Sequence, residues 1–356
     1  MATNRVTIKD ISSTLGVSTA IINRALNNKP GVSKELKDKI LKTADELGYR
    51  VNKVAQSMAR SPIIIGVVIP REWAEYFDVL KDGIEKEFDR LLDYNVESRY
   101  YITNNIHSSR ETVNTLEQCI EDKVSGIILC DVFPTGLEKI MNKLKLSNIP
   151  IVMIGGTQNM NDNCLCSVQV DAYLSGMMAA EMLSFMTGDG GEEKDVVLFV
   201  GNKDNVEHKL KTNGFVDYAK TCNMNIIGIY ETLDDDQIAT QLAKKIMSEV
   251  NTIDGMYIAT ANSPAVCSVV EDNKYKTKIV STDIYDKISE YIQKGIIQCT
   301  IFQDLEKHGR TAVKVIYEYL AEQKCPDKIM YIKPQIIIKS NLDSYFDKKN
   351  EKPIAN

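Results

Sequence analysis

The chain is short of histidine, the residue most often used as a catalytic base or metal ligand. It has only three histidines, His107, His208 and His308, in unrelated segments without metal-ligand spacing. Neither a zinc site nor a nucleophile with its adjacent base is written in that pattern. No Walker-type or dinucleotide-binding glycine motif occurs. The eight cysteines include no CxxC pair, and none precedes Cys119. Free, mostly buried thiols in a reducing compartment are the simplest account. No apolar run is long enough to span a membrane. The first residues, with Lys9, Asp10 and polar Ser12 to Thr14, hold no apolar core for an export signal. These absences exclude an enzyme with a recognisable catalytic or metal motif and point to a cytoplasmic chain with no cofactor, no metal and no membrane partner.

What is present begins at Thr7. In TIKDISSTLGVSTAIINRAL, Gly16 falls where two short helices must turn sharply, and Ile8, Ile11, Leu15, Val17, Ile21, Ala25 and Leu26 fall at helical spacing. Thr7 and Asp10 form a capping box, and Ser18 is placed to cap the second helix. Ser33 caps a third, whose Leu36, Ile40, Ala44 and Leu47 make an apolar stripe ending at Gly48. This is a helix-turn-helix head, followed by a short apolar-faced stretch from Asn52 to Ala59. Residues 1–60 hold 11 Lys/Arg against 5 Asp/Glu, a net of +6, whereas the whole chain is −6, leaving −12 for the rest. A basic head on an acidic body suits a phosphate-binding module joined to a soluble sensor.

On these residues the chain resembles the LacI/GalR family of bacterial transcription regulators, from Val6 to about Lys339. The family's head pattern is matched by Thr7, Asp10, Gly16, Val17, Ser18, Arg24 and Asn27, and its next loop by Pro30, Gly31, Val32 and Ser33. Leu47, Gly48 and Tyr49 match the end of the third helix. Asn52, Val54, Ala55, Gln56, Met58 and Ala59 match the hinge helix. The resemblance implies that the second helix enters the major groove, with Thr19, Ala20 and Arg24 facing base edges and Arg24 able to contact guanine bidentately. Thr7, Ser18, Asn23 and Asn27 then hold phosphates. Asn52, Ala55 and Met58 lie on the hinge, Met58 at the position of a minor-groove wedge or, alternatively, as a core or linker methionine. So short a hinge is marginal alone, which implies a homodimer whose hinges order together on double-stranded operator DNA.

The rest of the chain alternates short apolar strands with helical stretches. Strand segments begin at Ile63, Asn95, Gly126, Ile149, Cys166, Val196, Asn225, Gly255, Lys278 and Ile296. Apolar strands alternating with helices imply parallel sheets covered on both faces, and their number implies two lobes. The expected fold is thus an all-α helix-turn-helix head with hinge helix, then an α/β two-lobed effector domain resembling the type I periplasmic binding proteins. The expected domains are a head over 1–50, hinge and linker over 51–61, an effector-binding and dimerisation domain over 62–345, and a polar tail over 346–356. The first lobe takes about 62–168 and 303–325, and the second about 171–300 and 328–342.

Ligands of such folds bind beyond the carboxyl ends of the strands. Residues there that match the family's ligand positions are Trp73, Tyr76, Phe77, Lys211, Asn262, Asp283 and Gln303. The aromatic residues serve either as a stacking surface or as core, and Asp171, rather than contacting ligand, is placed to cap the helix running to about Met186, a structural role at the crossover between the lobes. Where many relatives carry an acidic or Asp-Arg pair, this chain has Gly155 and Gly156, and Lys211 replaces the usual arginine, removing a rigid bidentate fork. The resemblance implies a ligand-responsive regulator, a repressor of carbohydrate utilisation genes with a sugar or sugar derivative as small-molecule effector. The alternatives are an exported sugar-binding protein, for which an export signal is needed, and an architectural DNA-binding protein, for which a sensor body is not.

Overall fold

The computed structural model describes residues 6–26, 30–49, 61–71, 74–104, 108–130, 136–155, 164–188 and 191–345. Asn27, the hinge stretch Asn52 to Ala59, Trp73 and the 346–356 tail lie outside the described residues. The head and the body, which starts at Ile63, are separate compact units.

In the head, α1 (Ile8–Leu15), α2 (Thr19–Leu26) and α3 (Lys34–Glu46) enclose a small core of Ile11, Ile22, Ala25, Ile40 and Ala44. The N–H and the hydroxyl of Thr7 both donate to the Asp10 carboxylate, at 2.7 and 2.8 Å. These bonds hold the Asp10 carboxyl below its ordinary value. Gly16 makes the α1–α2 turn at φ +66°, a conformation costly for any residue with a Cβ. The Ser33 hydroxyl accepts from the Leu36 N–H at 3.3 Å. Two expectations shift here. Ile22, rather than Ile21, is fully buried, and Leu47 is 37% exposed because α3 ends at Glu46 and Gly48 turns the chain away at φ +71°.

The body contains two six-stranded sheets of the same strand order. The first runs β11 (Ile329–Ile332), β5 (Cys166–Val170), β4 (Ile151–Ile154), β3 (Gly126–Cys130), β1 (Ile63–Pro70), β2 (Val96–Thr103). The second runs β12 (Gln335–Ile338), β10 (Cys299–Phe302), β9 (Lys278–Thr282), β8 (Gly255–Ile258), β6 (Lys194–Val200), β7 (Met224–Glu231). Every neighbouring pair is parallel except β10 with β12. The first lobe interleaves α4 (Ala74–Arg90), α5 (Ser109–Glu121) and α6 (Glu138–Leu146). The second interleaves α8 (Val206–Ala219), α9 (Asp236–Glu249), α10 (Ser263–Asp272) and α11 (Asp286–Lys294).

Two helices exchange lobes. From β5 in the first sheet the chain enters α7 (Ala172–Thr187), which packs on β8, β9 and β10, and from β10 it returns through α12 (Leu305–Glu322), which packs on β3, β4 and β5. Asp171 caps α7, its carboxylate accepting from the Leu174 N–H at 2.9 Å. The exchange is repeated at the end of the chain and corrects one expectation. The segment 328–342 does not belong wholly to the second lobe, because β11 pairs in parallel with β5 of the first sheet and only β12 joins the second. Both strands have four residues and are separated by Lys333 and Pro334 alone, and neither sequence marks which sheet its strand joins.

Candidate functional site

The carboxyl ends of β1, β6, β9 and β10 bring one set of polar groups together in the body. After β6, Asn205 caps α8 by accepting from the N–H groups of Glu207 and His208. Glu207 and Lys211, one turn apart, form an ion pair at 2.7 Å in which the Lys211 side chain is only 3% exposed. After β9, Asp283 takes a left-handed φ of +63° and is buried. That turn aims its carboxylate at Gln303, the first residue after β10. The Gln303 N–H donates to one Asp283 oxygen at 3.2 Å and its side-chain amide to the other at 2.6 Å. The Thr300 hydroxyl fixes the Asp283 carbonyl at 2.6 Å.

The charges in this cluster act on one another. Burial pushes the Asp283 carboxyl up to about 6, against the pull of Lys211 and Gln303. Burial also disfavours charge on Lys211, but Glu207, together with Tyr257 and Asp283, outweighs it and holds the ammonium above its ordinary value. Glu207, likewise opposed by burial, is kept below its ordinary value by Lys211. Tyr76, half-buried on α4 of the first lobe, has its phenol pushed well up, first by burial and then by Glu207 and Asp283 of the second lobe. Burial likewise pushes His308, at the start of α12, down, and its Nδ1 lies 2.9 Å from the Asp304 carbonyl. At this site the second lobe presents a neutralised Lys–Glu pair beside one carboxyl poised to gain or lose a proton.

The structure therefore gathers Tyr76, Lys211, Asp283 and Gln303. Phe77 stands edge-on to Tyr76, ring centroids 5.0 Å apart, and is buried. Asn262 is placed differently. Its amide oxygen accepts from the Thr232 hydroxyl at 2.9 Å, and its amide nitrogen donates to Asp236 at 2.7 Å. Asn262 thus ties the ends of β7 and β8 together within the second lobe. Sequence reading passed over Glu207, Tyr257 and His308. Glu207 was findable, four residues before a lysine on one helix face. Tyr257, stacked on Phe215 at 5.4 Å, and His308 carry no local signal, because only the fold sets them beside Lys211 and Glu207.

In the head, Thr19, Ala20, Asn23 and Arg24 form one exposed face of α2, opposite buried Ile22 and Ala25. Thr7 and Ser18 are exposed at helix starts, the Ser18 hydroxyl accepting from the Ile21 N–H at 3.4 Å.

Comparison with known proteins agrees with both units. The sequence profile of the lacI family of bacterial regulatory proteins matches residues 7–52, and that of the periplasmic binding protein domain matches residues 65–324. The chain is 27% identical over 212 residues to a catabolite control protein A of Priestia megaterium, covering 59% of this chain and 60% of that one. It is 24% identical over 325 residues to the ribose operon repressor of Bacillus subtilis, covering 89% and 92%. A solute-binding protein of Burkholderia graminis, solved in complex with D-arabinose, superposes with a TM-score of 0.72 at 19% identity over 81% of this chain and 99% of that one, a likeness of fold alone. With one profile on the three-helix head and the other spanning both sheets, the chain carries a lacI-family head and belongs, over its body, to the periplasmic binding protein domain family.

Proposed function

We propose that this protein is a cytoplasmic, homodimeric repressor whose grip on a palindromic operator is set by a neutral sugar or cyclic polyol bound at the strand ends of the body. In this reading residues 1–50 are the DNA-binding head, 51–61 the hinge, and 62–345 the effector-binding and dimerisation domain. The observation that carries the effector class is the 2.7 Å Glu207–Lys211 pair beside the Asp283–Gln303 couple. Lys211, the cation at this position, already has its counter-ion in the chain, so an anionic effector would meet no free positive charge there and would be repelled by Asp283. A hydroxyl-bearing ligand suits the same groups, donating to Asp283 and accepting from Gln303. Tyr76 and, by family position, Trp73 would flank its apolar side.

Gating follows from linkage. An effector held between groups of both lobes favours the arrangement in which they close on it, and it shifts operator affinity by its preference for that state. The head disfavours the rival reading, an exported binding protein, which has no use for a base-reading helix.

The test is a thermal-shift screen of neutral monosaccharides and cyclic polyols against their phosphorylated counterparts, repeated with operator DNA obtained by selection. A neutral compound should raise the melting temperature and change operator affinity, and Asp283→Ala should abolish both effects while leaving unliganded operator affinity alone. A response confined to phosphorylated compounds, or one unchanged in Asp283→Ala, would sink the proposal.

A further inference from the structure

The second lobe has a groove at the amino ends of β8, β9 and β10, about 16 Å of strand away from Asp283. Its volume is about 620 Å³, inside the range of about 300–1,000 Å³ in which small-molecule sites fall. One side is the segment KYKTK, 274–278, where exposure alternates: Lys274, Lys276 and Lys278 face outward while Tyr275 and Thr277 turn in. From Tyr275 onward that alternation is the period of an extended chain running into β9, after Lys274 turns at φ +50°.

The charge in this groove is unbalanced. The two carboxylates in its lining are already engaged, Glu271 with the Lys294 ammonium at 2.8 Å and Asp254 with the Asp195 N–H at 2.9 Å. Lys274, Lys276 and Lys278 have no ion pair and no side-chain hydrogen bond among the described residues. Three ammonium groups without an ion pair thus line it against one carboxylate, Asp254, whose charge a backbone N–H does not neutralise, on a body whose net charge is −12. Behind them the Thr277 hydroxyl oxygen is buried without a hydrogen-bond partner. A hydroxyl left in that state is costly until it gains a partner. Val270, Ile296 and the Tyr275 ring form an apolar wall, the ring held by its hydroxyl donating to the Val250 carbonyl at 2.8 Å.

We propose that this groove is a second ligand site, for a small organic phosphate. Ammonium groups take a phosphate as point charges, without the geometry an arginine fork demands. The apolar wall takes the carbon skeleton or base, and Thr277 gains the partner it lacks. The volume suits a sugar phosphate or a mononucleotide and is too small for a folded protein or a DNA duplex. The groove also shares α7 with the first site: Met186 and Thr187 at the end of α7 line it, while Gly176 earlier on the same helix packs against the Lys211 backbone.

Isothermal titration of the full chain with inorganic pyrophosphate and AMP, with adenosine as the uncharged control, tests this. Both phosphates should bind wild type, Asp283→Asn and Arg24→Ala alike, and weaken as salt is raised. Lys276→Glu/Lys278→Glu should lose at least about tenfold in affinity. Thr277→Val, which leaves the charge intact, should lose a smaller factor. Unchanged binding in both groove variants, no heat up to ~10 mM ligand, or equal binding of adenosine overturns the proposal. So does a loss confined to Asp283→Asn, which places the phosphate at the first site, or to Arg24→Ala, which places it on the head.

Discussion

Gly176 on α7 lies against the Lys211 carbonyl on α8 with no space for a methyl group between them. The contact is reciprocal, since a Cβ at Gly214 would overlap the Tyr173 carbonyl, and the first lobe repeats it where Gly83 of α4 meets Glu306 and Gly309 of α12 meets Leu80. Each lobe-exchanging helix is thus seated backbone to backbone on the helix that follows the first strand of its sheet. Gly176→Ala must push α8 away, and with it the Lys211–Glu207 pair. Overpacking of this kind costs about 1–3 kcal/mol, more where backbone is the obstacle. The urea midpoint should fall by that equivalent, and effector affinity should fall further than in an equally destabilised variant of the head. A midpoint equal to wild type would show that the two helices part freely.

The buried ion pair makes an asymmetric prediction. Lys211→Met leaves Glu207 without its cation in a largely desolvated place, a change that costs roughly 3–5 kcal/mol for buried pairs and somewhat less here, because the Glu207 side chain keeps 22% exposure. Lys211→Met with Glu207→Gln removes both charges and should recover most of that loss. Chemical denaturation of the two single variants and the double variant measures the coupling. Additive losses would mean that the pair contributes nothing beyond its separate parts.

Much of this arrangement was legible in the sequence because its signals are local. Ser33 and Asp171 cap the helices their positions announced, and β1 to β10 follow the apolar runs. Asp283 and Gln303 were traceable as residues just past strand ends. The misses are non-local. Nothing near Ile329 says that its strand crosses back to pair with Cys166–Val170, a partner more than 150 residues earlier, because pairing in a parallel sheet leaves no mark on the strand itself. The hydrogen bonds of Asn262, at a family ligand position, to Thr232 and Asp236 were equally hidden, because those two residues come near it only in the folded lobe.

Arg24 stands on the exposed face of α2, its guanidinium 3.6 Å from where a Cβ at Gly31 would lie. Arg24→Ala removes no core contact, so thermal stability should stay within about 0.5 kcal/mol of wild type. If Arg24 reads guanine, operator affinity should fall by about 1–3 kcal/mol while binding to random DNA at the same salt weakens only slightly. Fluorescence anisotropy on both DNAs decides this. Equal losses on the two would reduce Arg24 to a phosphate contact.

The raised Asp283 carboxyl predicts how stability depends on pH. Its ordinary value is 3.8 and its folded value about 6, so the folded state binds the proton more tightly than the unfolded chain does. The contribution is therefore fully present below about pH 4 and is lost as pH rises through 6, a span worth about 3 kcal/mol. Asp283→Asn keeps the left-handed turn, which asparagine tolerates, and still offers Gln303 an acceptor, but it cannot titrate. The stability of wild type minus that of Asp283→Asn, from denaturation at fixed ionic strength, should decline between pH 4 and 7. Parallel curves would mean that Asp283 is solvated as it stands. A ligand donating a hydroxyl to this carboxylate stabilises the ionised form, so its binding should release a proton near pH 6 and weaken below it, and both effects should vanish in Asp283→Asn.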